Sequence, residues 1–197
     1  MRICSLFGGL AAVLLAGVCW PHDPLPSVVL FAHFETSPDK KALWHMQQEL
    51  DSILAPAGFK TAWVIAPEIP ATCRDCHLTN IRFLGRCDIK RPARELVSAN
   101  WLGRTITSEG ELFPFVEVNC NRIEWLLGIA IEDRQPAWSE QVLGRAFARV
   151  LAHELYHVLA NTKGHGASLL TRKQLSREAL LAQHLSFDME DIARIRR

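Results

Sequence analysis

The chain has 197 residues, 49% hydrophobic and 22% charged, which suffices for one globular domain with its own core and leaves too little length for a second full one. Its 22 Lys and Arg against 21 Asp and Glu give a formal net charge of +1. No basic run exceeds the terminal Arg194-Ile195-Arg196-Arg197, so the electrostatic footprint of a nucleic-acid binder is missing.

Residues 1–20, MRICSLFGGLAAVLLAGVCW, set Arg2 before an apolar run from Ile3 to Trp20, and PHDPLP then breaks the segment. This is the layout of a secretory signal peptide, so residues 27–197 are expected to form a single domain that is secreted or periplasmic. The alternative is an N-terminal membrane anchor, because an apolar run of this length nearly spans a bilayer. A lipoprotein signal ending at Cys19 fits less well, since Ala16-Gly17-Val18 lacks leucine three residues before the cysteine. No other segment is apolar enough to cross a membrane.

Residues 27–34, SVVLFAHF, are β-branched and apolar and read as a buried strand. From Pro38 to Ala55, Leu43, Met46, Leu50, Ile53 and Leu54 recur at helical spacing, and Pro56-Ala57-Gly58 ends the helix. A second strand follows at 60–65, and a strand, helix and strand in this order make a parallel, right-handed crossover unit. Further strands are expected at 80–85, 103–108 and 112–119, with Pro114 making the last an edge strand or a late-starting one. Residues 138–160 form the longest helical stretch, with Val142, Ala146, Arg149, Val150, His153 and His157 along one face. Short helices at 172–183 and 187–196 complete an α+β domain with a mixed twisted sheet.

Four cysteines lie beyond the signal: Cys73, Cys76, Cys87 and Cys120. An even number in an exported chain reads as two disulfides, preferably Cys87 with Cys120 and Cys73 with Cys76. Zinc binding or thiol exchange at Cys73-Arg74-Asp75-Cys76 is the alternative. His33, His45 and His77 read as packed or solvated, and the six tryptophans as core residues. Arg74, Asp75, Lys90, Arg91 and Arg94 read as a solvated loop face.

The chemistry concentrates in residues 153–165, HELYHVLANTKGH. Histidines four apart on a helix point the same way, so His153 and His157 can share one metal ion. Glu154 can reach a metal-activated water as general base. Catalytic zinc needs a third ligand and an open position. Asn161 and Gly164 permit a turn that returns His165 to the ion, with Gly166 leaving room for substrate or backbone. His184 is close enough in sequence to touch the site from the following helix.

His153-Glu154-Leu155-Tyr156-His157 with His165 resembles the zincin metallopeptidases, and within them the metzincins, whose third ligand is a histidine after a glycine turn. The order of strands and helices across 27–166 is similar to that family's N-terminal half, and the segments 112–122 and 153–166 look like small exported bacterial proteins of zincin-like type. The resemblance implies a Zn2+ cofactor on His153, His157 and His165, Glu154 as catalytic base, and a peptide or protein substrate laid along strand 112–119 by strand addition. The chain departs from the metzincin pattern in three ways: His165 stands eight residues after His157 instead of six, with Ala160 at the family's glycine position; the one downstream methionine, Met189, reads at least as well as the start of a helix as a methionine turn; and Tyr156 is the only tyrosine, so no separate tyrosine can serve as a fifth ligand or transition-state donor. A gluzincin-like arrangement, with Glu178 of the following helix replacing His165, is the alternative ligand set. Zinc-dependent peptide-bond hydrolysis is therefore the expected function, and a zinc-binding pseudoprotease or interaction module without turnover its alternative.

Overall fold

A computed structural model describes residues 27–65, 77–87, 99–132 and 136–197. The N-terminal segment, Cys73, Cys76 and the charged loop residues from Arg74 to Arg94 named above lie outside them. The architecture is α+β, with five α-helices and a five-stranded mixed sheet among the described residues.

β1 (Ser27–Thr36), α1 (Lys40–Leu54) and β2 (Lys60–Ile65) make the expected crossover, with β1 and β2 parallel. Asp39 starts α1 by accepting from the Lys41 amide at 2.9 Å, and Gly58 ends the turn after it in the left-handed region at φ 89°. β3 (His77–Arg86) runs parallel to β1 on its other side, β5 (Glu111–Asn119) parallel to β3, and β4 (Gly103–Ser108) antiparallel to β5. The spatial order is β2-β1-β3-β5-β4.

This order corrects one half of an expectation: β2 and β4 are the edges and the strand carrying Pro114 lies inside the sheet, while its pairing with β3 does start late. A proline lacks the amide that an interior strand needs on both sides. Here β5 joins β3 only from Phe115 onward, and its register against β4 shifts between Thr105 and Thr107, opposite Pro114. The proline falls where no ladder requires its nitrogen.

Side chains alternate across the sheet, so Val28, Leu30, Ala32, Ile81, Phe83, Val116 and Val118 are buried together. α2 (Cys120–Glu132) and α3 (Pro136–Leu159) follow. α3 packs closely on α1 at Gly144, where a Cβ would come within 2.3 Å of the Ala42 carbonyl oxygen. Buried residues surround α3 on nearly every side from Ala146 to Tyr156. That burial includes Arg149, whose guanidinium is fully enclosed, pairing with Glu49 of α1 at 2.8 Å and donating to the carbonyls of Ala179 and Leu180 at 3.0 and 2.8 Å. The latter two belong to α4 (Arg177–Leu181), and α5 (Met189–Ile195) ends the domain.

Cys87 and Cys120 form the expected disulfide, joining the end of β3 to the start of α2. α2 was not foreseen, and α4 occupies only part of the helix expected at 172–183. Trp63 and Trp138 pack against the core as expected, whereas Trp44 and Trp125 depart from that expectation at 55% and 47% exposed. No helix among the described residues is long and apolar enough to cross a membrane.

Candidate metal centre

His153 and His157 lie one turn apart near the C-terminal end of α3, both buried. The helix stops just past them because Asn161 adopts a left-handed conformation at φ 43°, one that asparagine tolerates, and the Thr162 amide bonds back to the His157 carbonyl at 3.0 Å. The chain then turns through Gly164 and brings the exposed His165 ring to 5.5 and 4.9 Å from the rings of His153 and His157. One nitrogen from each of the three lies within 4.8 Å of the others. The expected trio is thus brought together, and it could hold a metal ion.

The hydrogen bonds say which nitrogens face inward. His153 Nδ1 lies 2.7 Å from the Leu170 carbonyl oxygen, and His157 Nδ1 2.7 Å from that of Thr162. A carbonyl only accepts, so each Nδ1 carries its proton, and each neutral ring is left with its lone pair on Nε2. These two Nε2 atoms are 3.3 Å apart. Two facing lone pairs repel, and protonating a ring to relieve them is opposed by burial, which holds His153 down at about 4 and lowers His157 as well. A cation between them resolves the conflict: with metal–nitrogen bonds of ~2.0–2.1 Å in a tetrahedral site, two donors sit roughly 3.3 Å apart. The donor set fits a metal, and the carbonyls that orient the rings supply the outer shell such sites need.

Glu154 is buried beside them. Burial pushes its carboxyl up to about 7, against the opposing effect of the Thr105 hydroxyl. Thr105 Oγ1 is 2.9 Å from Glu154 Oε2 and 3.1 Å from the Glu154 carbonyl oxygen, which ties edge strand β4 to α3 at this residue. Gly103 lets the strand come so near: a Cβ there would lie 2.7 Å from Val150 Cγ1 and 2.9 Å from Glu154 Cγ. Sequence reasoning did not find Thr105; its inward register on β4 was the available signal.

The other candidates fall elsewhere. Glu178 is exposed in the first turn of α4, where bonds to its own backbone and to Ser176 lower its carboxyl pKa, so it serves the helix cap and lies outside the histidine cluster. His184 is exposed and also outside it. Met189 is 80% exposed at the start of α5 and forms no floor under the histidines. Gly166 makes room for protein, not substrate: a Cβ would lie 2.3 Å from both Asp191 Oδ1 and Thr171 Oγ1. Asp191 is buried and accepts from Thr171 Oγ1, bracing the loop that carries His165, a support the sequence did not announce. Tyr156 faces the core, where its hydroxyl accepts from Arg194 at 3.1 Å.

Beside His153 and Glu154 opens a cleft of about 450 Å³, bordered by β4, α2 and the loop at Lys173 to Leu175. Neither a family model nor a curated protein matches this sequence, so what ties it to a function is the side-chain constellation itself.

Proposed function

We propose that the protein is an exported zinc-dependent peptide hydrolase of zincin-like architecture, with His153, His157 and His165 as ligands and Glu154 as general base. One observation carries the reading: two buried imidazoles, each fixed by a carbonyl at Nδ1, present their Nε2 lone pairs to one another at 3.3 Å with a third histidine and a carboxyl adjoining. An all-imidazole donor set with an open fourth position favours zinc, which supplies Lewis acidity and lowers the pKa of water toward neutrality.

The chain's own groups do the rest. Glu154 accepts the proton of the attacking water and passes it to the leaving amine, and a carboxyl near 7 gives and takes a proton readily at neutral pH. Thr105 holds that carboxyl in place. β4 is the edge strand that touches Glu154, so strand addition of an extended peptide falls to Gly103–Ser108 and not to the interior strand at 112–119. The disulfide suits an oxidising compartment and so accords with export.

Glu154→Gln tests the reading. Metal retained and peptide cleavage lost is the expected result. Cleavage unchanged in the variant defeats the mechanism, and metal bound without cleavage in the wild type makes the protein a binding module without turnover.

A further inference from the structure

The cleft at the metal centre has an uneven chemistry. Its walls are apolar at Trp101, Leu102, Leu126 and Leu175, and its charged side chains are Arg122, Lys173 and Glu154. Glu154 belongs to the proposed reaction, so both groups left for recognition are cations. Neither takes part in the ion pairs among the described residues, whereas neighbouring Arg104 is already bound to Glu117 and stacked on Trp101. Arg122 lies over the Trp125 ring at 4.2 Å, which restrains its long side chain before any ligand arrives. Two cations with no ion pair among the described residues, at the rim of an apolar hollow next to the reacting centre, suit a group with an apolar stem and an anionic end.

We propose that this cleft recognises a carboxylate on the substrate, held by Arg122 and Lys173 beside the scissile bond, so that the protein acts on acidic peptides. The inference rests on the hydrolytic reading above for its location and not for its chemistry. The carboxylate comes either from an Asp or Glu side chain or from a free chain end.

The test uses the zinc-loaded full chain carrying Glu154→Gln, which binds without cutting. The probes are blocked Ala-Ala-X-Ala-Ala peptides with X as Glu, Gln or Lys, and the all-alanine peptide with a free or an amidated C-terminus; affinities are read by calorimetry or NMR titration. A charge-assisted contact is worth about tenfold in affinity, so the carboxylate-bearing peptide is expected to bind about tenfold tighter than its neutral partner. Adding Arg122→Gln and Lys173→Gln should bring that ratio near unity, and Arg122→Glu with Lys173→Glu should reverse it toward the Lys peptide. Preference for the Glu peptide assigns the group to a side chain, and preference for the free over the amidated terminus alone assigns it to the chain end. Equal binding of all probes, binding of none, or a preference that survives loss of both cations overturns the proposal. Selective binding with no cleavage by the wild type leaves recognition standing and removes the hydrolase reading, so the two failures are separable.

Discussion

Replacing Glu154 by Gln in the metal-free protein should stabilise the fold at neutral pH and leave it unchanged in acid. The carboxyl is 5% exposed, and burial lifts it from its ordinary 4.5 to about 7. An acid whose pKa is higher in the fold than in the unfolded chain is protonated more easily when folded, so its penalty is absent below the unfolded value. The penalty grows as pH rises from 4.5 to about 7 and is fully present above. A displacement of about 2.5 pH units at 1.36 kcal/mol each gives about 3 kcal/mol. Glutamine keeps the shape and can still accept from Thr105, but carries no charge. Urea unfolding of both proteins in chelator, at about pH 4 and about pH 8, should therefore give unfolding free energies that coincide in acid and differ by about 3 kcal/mol in alkali. His153, held near 4, makes both proteins less stable as pH falls below 6.5, and this common effect cancels in the difference. A stability difference that is the same at both pH values would refute the claim that this carboxyl sits in a desolvated site.

Elemental mass spectrometry should find about one zinc per chain in the wild type and much less in His165→Ala; equal content in both would remove His165 from the ligand set. Thr105→Val strips the hydroxyl that lowers the Glu154 pKa, so the acid limb of kcat/KM against pH should move to higher pH, with Thr105→Ser restoring it; a profile that keeps its position would show that Thr105 does not hold the base. Gly144→Ala should cost about 1–3 kcal/mol in urea unfolding, because the added methyl meets the Ala42 carbonyl at the α1–α3 crossing, and wild-type stability would contradict that contact. Replacing both Cys87 and Cys120 by Ala opens a loop of sequence separation 33, a loss of about 3–4 kcal/mol on chain-entropy grounds. An unchanged unfolding midpoint would mean that the bridge contributes nothing to stability.

The site's ligands were legible because a helix repeats nearly every four residues, which makes two histidines at that spacing a geometric statement. His165 could be added because Asn161 and Gly164 mark a turn. Thr105 showed only its inward register on β4; its partner is 49 residues away, and the pairing depends on where the sheet's edge passes the helix. The error over the edge strand has a similar origin: Pro114 signals a missing amide, yet a late-starting ladder with β3 and a register shift against β4 absorb that loss inside the sheet as well as solvent does at its border. α2 escaped notice because it leaves β5 with no intervening loop. Its signal was there, in Asn119, whose side chain accepts from the Arg122 amide at 3.0 Å, and in the apolar pair Ile123 and Leu127 four apart.

The enclosed Arg149 has a consequence for the order in which the molecule can be made. A chain emerging from its N-terminus already holds His153, Glu154, His157 and His165 when the carbonyls of Ala179 and Leu180, 30 and 31 residues beyond Arg149, have yet to appear. Until they do, α3 must bury a guanidinium with only Glu49 to answer it, a strongly unfavourable state. A chain that ends before Ala179 therefore keeps only one of the three partners of the buried guanidinium, and the helix carrying His153 and His157 is fully supported only once α4 has packed on it.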